Sequence, residues 1–396
     1  MRPPGADTVV VRHSELYTKS PPVKRRMEGT LVENLEAILA DRGIDATVEL
    51  AWNRLFVHPK GEGLSAAAAA AAETIGVVSA SPAVRVSPTV DAVCGALADA
   101  AREHYDGGTF AVDAHRSAKG HSFTSEDIER AGGDAVWGAV EGSFEPAVDL
   151  ESPDLTFGVE VREESAYVFL ERNPGPGGLP VGTQAPLVAL VSGGIDSPVA
   201  AYEAMRRGSP IVPVYVDLGD YGGPDHAARA TETVRTLARY APNQDMRLRE
   251  VPGGDTVSHL VETMERGRML ALRRFFFQVA AHVAAEEGAA GIVTGEAIGQ
   301  KSSQTVRNLA VTSEAADLPV HRPLLTMDKE AIVERARAIG TFSDSTIEAG
   351  CNRVAPDRVE TAGRREQIQA SEPADLAERA ERAAAATRTV AVTPNR

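Results

Sequence analysis

The chain has 396 residues, 43% apolar and 24% charged, which is ordinary globular usage and enough material for two to three domains. Its 56 acidic side chains outnumber 41 Lys plus Arg, for a net charge of −15, and Lys stands only at positions 19, 24, 60, 119, 301 and 329. That composition excludes a long disordered chain, and two cysteines, Cys94 and Cys351, exclude a disulfide scaffold and a four-cysteine zinc site.

An acidic, Lys-poor surface suits solubility in salt. The charge is only a weak argument against a nucleic-acid partner, because basic patches can lie within an acidic total. Met1 to Asp7 holds Pro and Gly where a signal peptide would be apolar, and the run Ala66 to Ala72 is too short to cross a bilayer. A reducing, cytoplasmic address with no membrane partner is expected.

A short strand, Thr8 to Val11, opens the chain and a basic stretch follows it. Leu31, Leu35, Ile38 and Leu39 then share a face, which predicts a helix from about Met27 to Ala40, stopping at Gly43. Thr47 to Leu50 and Arg54 to Val57 alternate as two strands around a turn. The alanine run has strong helix propensity, and Gly76 to Pro82 reads as a strand ending in a turn. An amphipathic helix is predicted from Thr89 to Glu103, then a strand from Thr109 to Asp113. Thr124 with Asp127 three residues on fits a capping box. Strands are expected at Thr156 to Arg162 and Ala166 to Phe169. The Pro/Gly-rich run Asn173 to Pro180 marks the clearest boundary.

Beyond it, continuous apolar strands at Leu187 to Val191, Ile211 to Val216 and Gly291 to Thr294 alternate with helices. The helices run to Arg207, over Ala227 to Tyr240 and over Gly267 to Glu287, where Leu272, Phe276, Val279 and Val283 form a stripe. That alternation predicts a doubly wound parallel sheet with ligands at the strand C-termini. After Gly350 the chain reads as loop, then helix. Cys94 sits in an apolar helical pattern and reads as a core residue.

The sharpest motif is Ser192-Gly193-Gly194-Ile195-Asp196-Ser197-Pro198, between the first of those strands and its helix. The glycines let the backbone turn tightly so that N–H groups face a phosphate. Pro198 suits a first helical turn, and the helix N-terminus favours an anion. Asp196 suits a Mg²⁺ beside a pyrophosphate. No Gly-Lys-Ser/Thr follows, so this is not a Walker loop, nor is it G-x-G-x-x-G. A lone Gly-Gly is usually a plain turn; six specified residues at this junction favour the phosphate loop.

The hexapeptide resembles the PP-loop of the ATP pyrophosphatases. Gly175 to Gln184, Thr294 to Gln300 and Arg322 to Lys329 are similar to the tRNA 4-thiouridine synthetase (tRNA sulfurtransferase) family, and Thr109 to Ile128, with Phe123-Thr124-Ser125, resembles its THUMP domain. The likeness runs from about position 8 to 355. It implies an α/β chain with a ferredoxin-like α+β domain (1–60), a THUMP RNA-binding domain (61–170) and a linker (171–186). A doubly wound PP-loop domain of the adenine nucleotide alpha hydrolase type (187–360) and a helical tail (361–396) complete it.

The family uses ATP to adenylate O4 of a uridine at position eight of tRNA, and a persulfide sulfur then displaces AMP. The positions matching its ATP contacts are Ala189, Leu190, Ser192, Gly193, Gly194, Ile195, Asp196, Ser197, Tyr215, Val216, Arg273, Gly295 and Gln304. Tyr215-Val216 stand where His-Phe is common, a change that backbone recognition of adenine tolerates. Lys329 matches the lysine that works with the loop aspartate in adenylation. Cys351 matches the sulfur-handling cysteine, with Arg353 near enough in sequence to favour a thiolate. The catalytic set implied is therefore Asp196, Lys329 and Cys351, with ATP and Mg²⁺.

The tRNA-binding positions implied are Lys19, Lys24, Arg25, Arg26, Arg116, Lys119 and His121, where phosphate contacts give affinity rather than sequence readout. Lys19-Ser20-Pro21 replaces the family's Lys-Gly-Asn. Many bacterial members end in a rhodanese domain; this chain stops at Arg396 and none is expected. Cys351 is the single cysteine of the C-terminal half, so no iron–sulfur cluster is expected, and sulfur must come from an external donor, a persulfide protein or sulfide. No protein-bound metal is expected. A homodimer is implied by resemblance. The competing readings are sulfur transfer to a small molecule, the thiamine thiazole, and a nonenzymatic tRNA-binding module with a decayed ATP site.

Overall fold

The structure is a computed structural model that describes residues 1–13, 19–51, 54–117, 120–222, 224–343, 351–356 and 358–392. The chain divides into two compact units, Met1–Gly178 and Leu179–Arg396. Among the described residues no helix is long and apolar enough to cross a membrane.

The first unit runs β1 (Thr8–His13), α1 (Pro21–Asp41), β2 (Ala46–Ala51), β3 (Arg54–Pro59), α2 (Leu64–Glu73), β4 (Val77–Val86) and α3 (Val90–His104). It continues with β5 (Thr109–Arg116), α4 (Ser125–Val140), β6 (Ala147–Val148), β7 (Leu155–Val161), β8 (Ala166–Phe169) and β9 (Asn173–Pro174). One sheet joins them in the order β2-β3-β1-β4-β8-β7-β5-β6, with β9 on β4. The long β4 makes the join. Its first part pairs with β1, and its second part, from Ala83, with β8.

That strand was expected to end in a turn at Pro82; it runs through it. Pro82 lies opposite Val9 of β1, in the gap where β9 pairing has ended at Ala80 and β8 pairing has not begun. No ladder bond is lost there, so the missing N–H costs little. The first helix likewise starts six residues earlier than its apolar pattern, at Pro21, because proline fits the first helical position. On one face Leu31, Leu35 and the small Ala67, Ala70 and Ala71 pack on Val9, Val11, Leu55 and Val57. Farther along the sheet Leu97 and Ile128 pack on Phe110, Phe157 and Val159. The capping box is present: Thr124 Oγ1 accepts from Asp127 N at 3.1 Å, and Asp127 accepts from Thr124 N at 2.9 Å.

The second unit runs β10 (Leu187–Leu190), α5 (Asp196–Arg206), β11 (Ile211–Asp217), α6 (Pro224–Ala238), β12 (Leu248–Pro252), α7 (Gly254–Thr263), α8 (Arg268–Glu287) and β13 (Ile292–Val293). It ends with α9 (Val306–Ser313), β14 (Val320–His321), α10 (Lys329–Ala338), α11 (Cys351–Val354), α12 (Arg365–Ser371), α13 (Leu376–Ala385) and β15 (Arg388–Val390). The sheet order is β14-β13-β10-β11-β12-β15, parallel except for β15. The strand order reverses between β10 and β13, and that reversal opens a crevice at their C-terminal ends, where ligands bind in such folds.

Helix α8 packs on the sheet through Leu272, Phe275, Val279 and Val283. The expected stripe had Phe276, which instead packs at the edge of this core, one step round the helix. The C-terminal segment folds back as well, with β15 pairing to β12 through Leu248 and Val390.

Candidate active site

Three chain segments meet at the crevice: the loop after β10, the loop after β13 and the segment after α11. They line a cleft of about 290 Å³. Leu190, Ser192, Gly193, Gly194, Asp196, Ser197, Tyr215, Val216, Arg273, Gly295 and Gln304 all border it. Ala189 and Ile195 do not. Ala189 is fully buried within β10, and Ile195 is the N-cap of α5. An apolar wall comes from Val214, Leu272, Phe276 and Phe277, which suits a flat aromatic base.

The loop is closed by its two serines. Ser192 N donates to Ser197 Oγ at 2.8 Å, the two hydroxyl oxygens lie 3.1 Å apart, and Gly194 N donates to Ser192 Oγ at 3.3 Å. The backbone bends at Gly193 to Ile195 as expected, and neither glycine needs a positive φ to do so. The chain enters α5 directly, with Ile195 already at φ −67° and ψ −36°. The first N–H groups of α5 have no intrahelical acceptor and form the anion-binding end of the loop.

Asp196 is the first residue of α5 and Lys329 the first of α10, and Lys329 Nζ donates to Asp196 Oδ1 at 2.6 Å. The two helix N-termini are thereby brought together. A lysine at a helix N-terminus works against the helix dipole, and here the carboxylate of the neighbouring helix offsets it. Both side chains keep access to water, at 49% and 29% exposure for Lys329 and Asp196, so a ligand can reach the pair. Lys329 is the side-chain partner found for the Asp196 carboxylate among the described residues, and Oδ2 is the oxygen that could hold a hard cation.

Glu296, only 2% exposed, anchors the other wall. It pairs with Arg273 and accepts from Arg322 Nε at 2.8 Å. Arg273 Nε also donates to Ser303 Oγ at 3.3 Å. Gln304, in the amide orientation that satisfies both neighbours, accepts from Arg273 Nη2 at 3.1 Å and donates to Ala297 O at 2.9 Å. Arg273 thus borders the cleft held in place by a buried carboxylate that it shares with Arg322, so the trio keeps one net positive charge on a fixed donor. Glu296 was quoted within a motif but given no role; only the fold brings it to Arg273 and Arg322. His226 borders the cleft too and was missed. Burial, then the charges of Arg229 and Arg353, hold its imidazole below the ordinary histidine range, which favours the neutral form.

Cys351 begins α11, and its side chain lies outside the described residues. The backbone of that segment is placed. Helix α11 packs against the turn Gly219–Tyr221 after β11, and Ala355 and Val359 border the cleft. Arg268 ties it down, donating to Val354 O at 3.2 Å, Met264 O at 2.8 Å and Val261 O at 3.1 Å. Cys94, expected in the core, is instead half-buried on the flank of α3, beside the buried Val93 and Leu97. Burial, then Asp91 and Asp134, push its thiol up, away from reactive thiolate character.

The expected tRNA-binding residues fall into two groups of the first unit. Lys19, Arg25 and Arg26 are exposed around the start of α1, where Lys24 pairs with Glu28 at 3.7 Å. Arg116 ends β5 and His121 lies in the loop that follows. Arg116 donates to His121 O at 3.2 Å, and His121 Nε2 bonds Arg162 O at 2.8 Å while its ring stacks on Phe123. Those two shape the loop as much as they offer charge. Lys119 lies outside the described residues.

Comparison with known proteins gives three family matches: the "Thiamine biosynthesis protein (ThiI)" family over residues 182–375, the "THUMP domain" over 88–171 and the "ThiI ferredoxin-like domain" over 8–81. A Halobacterium salinarum chain named "Probable tRNA sulfurtransferase" is 58% identical over 392 residues, covering 99% of both chains. The "tRNA sulfurtransferase" of Thermoplasma acidophilum is 33% identical over 346 residues, covering 87% of this chain and 69% of that one. The crystal structure of a 4-thiouridine synthetase–RNA complex with bound ATP superposes with a TM-score of 0.84 at 28% identity, covering 98% of this chain and 100% of that one.

Proposed function

The chain belongs to the tRNA sulfurtransferase family, and from that premise we propose how its cleft works: it adenylates O4 of the uridine at position eight of tRNA and delivers persulfide sulfur to the activated carbon. ATP-dependent thiolation of tRNA is its activity. The observation that carries the proposed division of labour is the 2.6 Å contact of Lys329 with Asp196, where two helix N-termini meet beside the loop.

Adenine lies at the ends of β10 and β11, against the apolar wall of α8, and the phosphates lie on the loop. The uridine O4 attacks the α-phosphorus; the O–P bond forms as the bond to the β-phosphate oxygen breaks, and its electron pair leaves on pyrophosphate. Lys329 and the N-terminus of α5 stabilise that charge. Asp196 positions Lys329 and supplies one carboxylate oxygen to Mg²⁺, which would neutralise the phosphates. The terminal sulfur of a persulfide on Cys351 attacks C4, and AMP leaves with O4. An external thiol then cleaves the S–S bond, leaving sulfur on C4.

The sulfur donor is external: a persulfide protein loads Cys351 by passing on its outer sulfur and keeping its own thiolate, whereas sulfide, already fully reduced, would attack C4 directly with no persulfide on Cys351. A homodimer, with one tRNA reaching two subunits, is the arrangement that the family resemblance supports. Asp196→Ala is expected to lower tRNA-dependent pyrophosphate release by about 100-fold or more while the protein still binds tRNA. Release at the unaltered rate would remove Asp196 from the mechanism.

A further inference from the structure

The other cations of known contact around the loop already hold a carboxylate acceptor. Lys329 is held by Asp196, and Arg273 and Arg322 share Glu296. Arg229, in the second turn of α6, is different. Its Nη1 is buried and has no hydrogen-bond partner among the described residues. A guanidinium nitrogen that has lost water and gained no acceptor is destabilising as it stands, and such a group is satisfied when an anion arrives. Lys301 also borders the cleft, but it is exposed and needs no ligand to satisfy it.

The stem of Arg229 lies on the phosphate loop. A Cβ built on Gly193 would come within 3.0 Å of Arg229 Cβ and 3.2 Å of its Cδ. Gly193 has no positive φ, so its lack of a side chain serves this close approach rather than a left-handed turn. His226, three residues earlier on the same helix, borders the cleft. An arginine packed on the loop, with a donor that has no acceptor, suits the charge of a triphosphate, which the one positive charge left over from Arg273, Arg322 and Glu296 offsets only in part. Its planar fork matches phosphate oxygens.

We propose that Arg229 is a ligand of the β- and γ-phosphates of ATP, donating through Nη1 and keeping hold of the pyrophosphate as its bond to the α-phosphate breaks. This rests on the nucleotide reading above and adds to it a residue that the sequence motifs did not single out. AMP, which lacks those two phosphates, makes no use of the contact.

The test is a titration of the full chain with Mg-ATP and, separately, AMP. Arg229→Gln is expected to weaken ATP by about tenfold or more and AMP by less than about twofold, with inorganic pyrophosphate losing its competition against ATP. Arg229→Lys is expected to recover part of the ATP affinity. Gly193→Ala, which crowds the arginine stem without removing it, is expected to show the same preference for loss of ATP over AMP. Equal weakening of ATP and AMP, or unchanged ATP binding in Arg229→Gln, would overturn the proposal. Failure of the unaltered protein to bind either nucleotide would overturn the nucleotide reading itself, a separate outcome. If Arg229→Gln does not fold, the Lys and Ala variants decide the matter by the same ATP-to-AMP ratio.

Discussion

Gly295 closes β13 at the point where the two central strands part. A Cβ there would sit 2.7 Å from Asp196 C and Ser197 N, backbone atoms of the first turn of α5 that have no rotamer by which to yield. Overpacking of this kind costs about 1–3 kcal/mol, and here it is spent by displacing the phosphate loop. Gly295→Ala is therefore expected to weaken ATP by about tenfold or more while the melting temperature falls only a few degrees; unchanged affinity, measured by calorimetry, would contradict the close packing of loop and strand. At this scale the loop itself was readable because its residues are contiguous. Glu296, Arg273 and Arg322 were not readable as a unit, since only the fold joins positions so far apart. Arg229 carried no signal at all: an arginine in the polar part of an amphipathic helix looks solvated until its neighbours are known.

At the scale of elements, charges buried in strands explain most of what the sequence concealed. β12 carries Arg249 and Glu250 within a short apolar run. Arg249 is buried and donates to Glu287 at 2.7 Å, a partner on α8 that no local pattern reveals. β15 is a three-residue strand that exists only by pairing with β12. In the first unit Glu160 of β7 is 3% exposed and receives Arg12 at 3.2 Å, Arg54 at 3.0 Å and also Arg162. Burial raises its carboxyl, but Arg54, Arg12 and Arg162 together pull it below the ordinary range. Arg12 also lies over the ring of Phe169, and Phe56 stacks on Tyr167, so the cluster and these rings cover the second face of the sheet. Glu160→Gln would leave three guanidinium groups facing one another. It is expected to destabilise the chain by about 3–5 kcal/mol, read from denaturant unfolding; a change below 1 kcal/mol would mean that the cluster is solvated and weak. The helices α3, α4 and α8 were legible because their apolar residues repeat at the helical period, and β10, β11 and β13 because they are continuous apolar runs; β12 and β14 were not read.

At the scale of the molecule, the expected tRNA-binding residues and the expected catalytic residues fall in different units. The exposed Lys19, Arg25 and Arg26 belong to the first unit, within a chain of net charge −15, and phosphate loop, Lys329 and Cys351 belong to the second. Composition could bound this arrangement but not reveal it, because a net charge averages over faces of different sign. In the mechanism proposed above the cleft first hands AMP to RNA, and the persulfide step follows. Cys351→Ala separates the two events. Incubated with tRNA and ATP labelled at the α-phosphate, this variant is expected to release pyrophosphate once per site and leave the label covalently on the RNA as AMP, with no 4-thiouridine formed. RNA that stays unlabelled, or 4-thiouridine made at the normal level by the variant, would contradict the account.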